Sequence, residues 1–302
     1  MRKNKNHIKL SFANRLYLGI VYFFLAIFII VILYPLLYIV SCSFSSPEAL
    51  IKGRVFFFPV EPGLQGYEAV FKNEQVFNGY KNAILYTVSG TLISSLLTMM
   101  GGYVLSRREF PMRKALTVFF TITMFFNGGL LPTYLLVKQL NMLDTIWAII
   151  LPGSFSVWMA VVARTFIQSS IPEELYESIS LDGGSYFQHF LRIIIPLSKP
   201  IIAVLALNFA TAHWNSYFSA MVYLSSPEKF PLQIILRNIL IQNVVDMSSI
   251  GAMDLSSLQE KQYLAELLKY SLIIVSSVPL LIVYPFIQKY FIKGVMVGSI
   301  KG

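Results

Sequence analysis

Charge is scarce in this chain, at 13% of 302 residues. A soluble chain of this length carries about a quarter charged residues, so an ordinary solvated globule is excluded. Cysteine is nearly absent: Cys42 stands alone, which rules out an intrachain disulfide or a cysteine metal cluster. The three histidines, His7, His189 and His213, lie far apart with no carboxylates at ligand spacing, so no metal site is expected. No Gly-x-x-x-x-Gly-Lys-Ser/Thr occurs, and the chain has no phosphate-binding loop of its own. Low-complexity segments and clear internal repeats are lacking too.

What is abundant is apolar, at 56% of the residues and a mean hydropathy of +0.64. An all-α polytopic membrane protein is expected. A span takes about 20 apolar residues to cross a hydrocarbon core of roughly 30 Å. Six runs qualify: residues 17–40, 82–105, 115–137, 146–167, 201–224 and 270–288. The first is too long for a signal peptide's apolar region of about 7–15 residues and reads as an uncleaved span. Ile39-Val40-Ser41-Cys42 imitates a lipoprotein cleavage site only weakly, being far from the N-terminus. Glycine and proline inside the runs, such as Gly101-Gly102, Gly128-Gly129, Pro132 and Pro152-Gly153, are tolerated where neighbouring helices satisfy the freed backbone groups.

The net charge of +9 does not form a basic stripe on a polar domain, so no nucleic-acid partner is expected. Basic residues flank the apolar runs instead. Fifteen of the 24 fall on one side: the N-terminal tail, Arg107, Arg108, Arg113, Lys114, Arg164, Arg192, Lys199 and the C-terminal lysines. Positive-inside bias therefore puts both termini (tails 1–16 and 291–302) and the loop 168–200 in the cytoplasm. A transmembrane domain over 17–290 lies between the tails, with segments 41–81 and 225–269 outside. Residues 230–237 read as a short surface helix, and 246–260 as a mobile polar stretch.

None of the six runs holds an aspartate or glutamate. Ion-coupled transporters generally need intramembrane carboxylates or comparable ligands, so energy for transport has to come from elsewhere. A separate ATPase docked on the cytoplasmic side fits that absence. An ion-coupled secondary transporter and a non-transporting scaffold or sensor subunit are the alternatives.

The loop 168–200 is written as two capped helices. Ser170 three residues before Glu173, with Pro172 between, predicts a capping box, and Glu173, Glu174 and Glu177 suit the positive helix end. Gly183-Gly184 breaks the chain, Ser185 and Gln188 predict a second capping box, and Pro196 and Pro200 close the unit. Acid-base work by these carboxylates and Asp182 is less consistent with a short solvated helix than capping and partner contact.

Polar groups within the runs are few, and each is a candidate for a substrate pathway: Asn127, Tyr134, Trp158, Asn208, His213, Trp214, Asn215 and Tyr217. Trp214 and Tyr217 are three apart, and His213 and Tyr217 four apart, which predicts one helix face. Rings beside amide and imidazole groups suit a sugar. The same residues fit interhelical hydrogen bonds and an interfacial aromatic belt.

Glu177-Ser178-Ile179, Gly183 and Ile193-Ile194-Ile195-Pro196 resemble the E-A-A-x3-G-x9-I-x-L-P loop of ABC importer permeases. Ser178, Ile179 and Ile195 depart from it while keeping helix-compatible or apolar character. The string SLDGGSYFQHFLRIIIPLSKP, Trp214-Asn215, Phe230-Pro231-Leu232 and the closing GVMVGSIKG are similar to the carbohydrate, maltose-type branch. Residues 126–145, FNGGLLPTYLLVKQLNMLDT, are similar to its subgroup for complex oligosaccharides.

The resemblance implies the six-helix importer-permease fold in a bacterial plasma membrane. It implies a second homologous permease, two ATPase subunits and an extracellular sugar-binding protein, with membrane lipid around them. ATP and Mg would sit on the ATPase, and no cofactor on this chain, which would not itself be an enzyme. Glu173, Glu174, Glu177, Ser178, Ile179, Leu181, Asp182, Gly183 and Pro196 would carry the ATPase contact. The segment 225–269 would meet the binding protein, and the tail through Lys301 and Gly302 would reach between the ATPases.

Overall fold

The structure is a computed structural model that describes residues 11–245, 263, 266, 268–285 and 288. The N-terminal tail to residue 10, the stretch 246–260 and the tail through Lys301 and Gly302 lie outside the described residues. All regular structure among the described residues is helical. In order come α1 (Phe12–Ser43), α2 (Pro47–Ile51), α3 (Gln65–Lys72), α4 (Glu74–Ser106), α5 (Arg113–Phe125), α6 (Leu130–Gln139) and α7 (Ile146–Ile150). They are followed by α8 (Val157–Ser170), α9 (Glu174–Leu181), α10 (Tyr186–His189), α11 (Ile195–Leu197), α12 (Lys199–Trp214), α13 (Tyr217–Tyr223), α14 (Leu232–Val245) and α15 (Leu268–Pro285).

The chain divides into two compact units, Met1–Val70 with Asp246–Ile274, and Phe71–Val245 with Val275–Gly302. In the first, α1 is a long apolar helix whose most hydrophobic window buries nothing inside the chain. Its end packs Cys42 with Ala49 and Val55, beneath Tyr38 and Tyr270. The turn after it is tied by side chains: Ser46 caps α2 through Ala49 N–H at 3.2 Å, and Ser41 donates to Phe57 O at 2.6 Å.

In the second unit α4 is the central post, packed against α8, α12 and α14. Its small residues permit the close approach: a Cβ on Gly102 would stand 2.7 Å from Ala163 Cβ and 3.0 Å from Ala160 O. Small residues are what membrane helices use to bring backbones together. Towards the end of α4 that carries Tyr103, a core forms from Met99, Tyr103, Ala163, Ile167, Phe190 and Leu205, among others. Towards the other end, Tyr86, Val137, Ile149, Tyr223, Leu224 and Ile234 build a second.

Helices α1, α4 and α15 are long and apolar enough to cross a membrane unbroken. Three bent pairs bring the number of crossings to as many as six if each pair is one span: α5 with α6 at 115°, α7 with α8 at 55°, and the helical stretch 186–197 with α12 at 84°. Of the glycines and prolines noted above, Gly128-Gly129 and Pro152-Gly153 sit at the first two breaks, where Gly129 takes a φ of 86° and Pro152 lies in a 3-10 turn, whereas Gly101-Gly102 stay within α4. The run 201–224 is not one helix either, because it breaks at Asn215-Ser216 between α12 and α13. There Ser216 Oγ donates to His213 O at 2.6 Å, capturing a carbonyl of the last turn.

Two further expectations are corrected. The 230–237 segment is no surface helix: α14 runs from Leu232 to Val245, and Leu232, Ile234 and Ile235 are buried. Pro196 does not end the second loop helix. Phe190–Ile194 forms a π turn in which Ile195 N–H donates to Phe190 O, and the helix continues through Pro196. A π turn absorbs the register change that a proline's missing N–H imposes.

Candidate docking loop and pathway residues

The two loop helices begin differently. Ser170 caps nothing: it is the last residue of α8, and α9 starts at N-cap Glu173 with no side-chain capping bond. A residue held in helical geometry cannot adopt the extended backbone that a capping serine needs. The second capping box is present, with Gln188 N–H to Ser185 Oγ at 3.2 Å and Ser185 N–H to Gln188 Oε1 at 2.9 Å.

Between them the glycine pair does two separate jobs. Gly183 sits at φ +73°, where its N–H donates to Ser180 O, while Gly184 N–H donates to Ile179 O at 2.8 Å. This is a Schellman closure, which satisfies the last carbonyls of α9. Gly184 is needed for space, since a Cβ there would lie 2.4 Å from the Ile179 side chain.

The loop is fastened to the end of α4 by a cluster around Arg107. Arg107 is only 8% exposed, and its guanidinium carbon lies 3.9 Å from the centroid of the Tyr176 ring. It pairs with Glu109 at 2.8 Å and approaches Glu173 at 3.9 Å. Tyr176 stacks on Tyr186 at 5.3 Å and meets His189 edge-on. Tyr103, from α4, hydrogen-bonds His189 Nδ1 at 2.9 Å and donates to Tyr186 O at 3.3 Å. Gln168 donates to Ser106 O at 3.1 Å. A desolvated cation–ring contact is worth about 2 kcal/mol, so this cluster holds both loop helices at their roots.

Beyond the roots the loop is bare. Glu173, Glu174, Glu177, Ser178, Asp182, Gly183 and Pro196 are exposed, Ile179 is half-buried, and Leu181 is 90% exposed. Phe187 and Leu191 are exposed beside them. Carboxylates around protruding apolar side chains make a surface suited to a protein partner. A polar cavity of about 500 Å³ opens at the loop's entry between Arg107, Arg108, Gln168, Ser169, Ser170 and Glu174.

The pathway candidates do not form one group. His213 is buried against Gly90 with its Nε2 3.2 Å from Ser94 Oγ. Trp214 is buried too, donating to Ser276 O at 3.0 Å and meeting Tyr80 edge-on. Both are helix-packing residues. Because α12 ends at Trp214 and α13 begins at Tyr217, the expected shared face does not exist. Asn215 donates to Thr211 O at 2.9 Å and is exposed, as are Tyr217, Asn208, Trp158 and Asn127. Tyr134 stacks on Tyr223.

Sequence reasoning missed the Arg107, Tyr176, Tyr186 and Tyr103 cluster, having read Arg107 only as a topology charge. It also missed Asp144. This residue holds φ 57° and receives Ser225 N–H at 2.9 Å, Ser226 N–H at 3.0 Å, Ser226 Oγ at 2.6 Å and Lys229 Nζ at 2.6 Å. The Lys229 contact first, then the serine donors, hold its carboxyl well below the usual range. No sequence spacing joins residue 144 to 225–229.

A permease of polygalacturonan and rhamnogalacturonan transport from Bacillus subtilis, YtcP, is 35% identical over 289 residues, covering 96% of this chain and 99% of YtcP. This chain belongs to the ABC sugar-transport permeases. The LplC protein of the same organism is 37% identical over 268 residues, 89% of each chain. A solved bacterial ABC transporter that imports the acidic polysaccharide alginate contains a chain matching this permease with a TM-score of 0.83 and 32% identity, covering 93% of this chain and 99% of that one. No family model matches. YtcP is a transport-system permease and the solved chain belongs to a polysaccharide importer, which makes this chain a membrane permease of sugar transport.

Proposed function

We propose that this permease moves oligosaccharides inward through a pathway shared with a second, homologous permease, in a six-span arrangement with both termini in the cytoplasm. An extracellular binding protein delivers the sugar, and two ATPase subunits binding ATP and Mg drive the cycle from the cytoplasmic side. The contact with the ATPase is α9 and its flanks: Glu173, Glu174, Glu177, Ser178, Ile179, Leu181, Asp182, Gly183 and Pro196. The observation that carries this reading is a helix anchored at its root by Arg107 and Tyr176 while Leu181, at its tip, is 90% exposed. With Phe187 and Leu191 exposed on the same loop, Leu181 is one of several bare apolar side chains outside the lipid, which suits a cleft on another protein.

Movement of α9 is passed on through that root. Tyr176 and His189 bear on Tyr103 of α4 and on Arg107, which caps it, and α4 packs directly on α8 and α12. Nucleotide-driven closure of the ATPases then switches the spans between inward- and outward-facing arrangements as rigid bodies. Asn127, Trp158, Asn208, Asn215 and Tyr217 remain the exposed pathway candidates.

The test is co-purification. Glu177→Lys and Leu181→Asp variants should insert normally into the membrane yet lose the ATPase subunits on affinity purification. Retention of both subunits and of sugar-stimulated ATP hydrolysis in these variants would overturn the docking reading.

A further inference from the structure

We propose that the backbone bend at residues 126–129 lines a water-filled stretch of the translocation pathway and offers a sugar its exposed peptide groups. The bend joins α5 to α6 at 115°. Helix α5 has 13 residues. At 1.5 Å rise it is about 20 Å long, short of a core of roughly 30 Å. It starts at Arg113, beside the basic cluster that marks the inner boundary. The break therefore falls at hydrocarbon depth.

Backbone at the break is unsatisfied. The amides of Asn127 and Gly128 and the carbonyls of Phe126, Asn127 and Gly128 have no hydrogen-bond partner among the described residues. Asn127 Oδ1 accepts Gly129 N–H at 2.9 Å, leaving its own amide nitrogen turned outward. Every residue from 125 to 131 is exposed, and nothing lies within 4 Å of a Cβ built on Gly129.

Lipid cannot satisfy such groups, and irregular backbone at membrane depth persists only where protein buries it or water bathes it. A covering helix would have spent its own backbone groups internally and could offer only side chains. Water offers donors and acceptors at every point. Donors and acceptors side by side, flanked by the Phe125 and Phe126 rings, which are 72% and 77% exposed, match the hydroxyls and C–H faces of a sugar. The ligand class rests on the sugar-permease reading; the wet wall does not.

Thiol labelling in native membranes separates the two. In a Cys42→Ser background of the full chain with its partner subunits, Asn127→Cys and Gly128→Cys are compared with Ile30→Cys on α1 and Phe58→Cys in the outer segment. A Cβ on Gly128 meets only Pro132, at 3.8 Å, so that variant is sterically mild. A charged methanethiosulfonate reacts with the thiolate, which forms in water, so both bend variants should react within about tenfold of Phe58→Cys and at least about a hundredfold faster than Ile30→Cys. Rates as slow as Ile30→Cys, both at rest and with ATP and vanadate, would overturn the wet wall. Slowing by oligogalacturonate or maltodextrin, with the binding protein present, supports the sugar contact; fast labelling unslowed by either overturns that contact alone. Failure of the sugar-permease reading would show separately, as ATP hydrolysis in the same membranes that no sugar stimulates.

Discussion

Both ends of α4 hold a neighbouring segment in place, and they do so by a different balance of means. At one end Asp144 gathers two backbone amides, a hydroxyl and the Lys229 ammonium, while Asn82 and Tyr86 of α4 donate to the carbonyls of Glu228 and Lys229. These are directional bonds with little freedom to slide. At the other end the Tyr103–His189 and Gln168–Ser106 hydrogen bonds hold the roots, but α9 itself rests on ring faces, with Arg107 on Tyr176 and Tyr176 on Tyr186. Stacked faces tolerate rotation and lateral shift far better than hydrogen bonds do. The difference suits a molecule that is stiff where 225–230 is fastened and yielding where an ATPase would push.

Breaking the stiff end should have the largest effect on stability. Asp144→Ala leaves two amides and an ammonium without their acceptor, and hydrogen bonds to a charged group are worth about 1.5–3 kcal/mol each. With the site part-exposed, we expect a net loss of about 3 kcal/mol, read as a lowered thermal midpoint in detergent, with ATPase co-purification unchanged at low temperature. Loss of co-purification without loss of stability would reverse the assignment of the two ends.

Acid should act on the same end. The Asp144 carboxyl is held below its ordinary value by Lys229 and the serine donors, so its stabilising contribution is present above the ordinary carboxylate pKa of about 4. That contribution is lost as pH falls towards the depressed folded value. Thermal stability should therefore be level above about pH 5 and decline below about pH 4, and Asp144→Asn should flatten that decline. An equal decline in the variant would assign the acid sensitivity to other carboxylates.

The yielding end is the next to break. Tyr176→Leu removes a cation–ring contact and a ring stack, together about 2–3 kcal/mol of local anchoring. Because the loop is peripheral, the thermal midpoint should hardly move. The expected signature is uncoupling: normal ATPase co-purification with sugar-stimulated hydrolysis reduced several-fold, and Tyr176→Phe restoring it. Equal loss in Tyr176→Phe would mean that the hydroxyl matters and the ring does not.

How much of this was legible beforehand follows from how far apart the partners lie in sequence. The helical class, the membrane setting and the Gly183-Gly184 closure rest on composition or on neighbours within a few residues, and each could be read. The Asp144 knot and the Arg107–Tyr176 stack join residues distant in sequence, which no local spacing records. The bend at 126–129 was missed because Gly128-Gly129 was read as tolerated within a straight span, and the one at 215–216 was hidden because an apolar run looks alike whether straight or broken. His213 and Trp214 were misread for that reason: the expected common face assumed one continuous helix through Tyr217.

The smallest expected effect gives the sharpest comparison within the loop itself, since its two serines looked alike in sequence. Ser185 closes a capping box and Ser170 does not. Ser185→Ala should cost about 1 kcal/mol locally, raising amide exchange at Gln188 and along the following turn while the rest of the chain keeps its protection. Ser170→Ala should be silent in the same measurement, because among the described residues its hydroxyl meets only Ser169 Oγ at 3.4 Å. Alanine is also the better helix former at the end of α8, so a slight gain in protection there is expected. Equal loss at both sites would mean that α9 opens from a serine-capped turn after all, and that Glu173 is not where it begins.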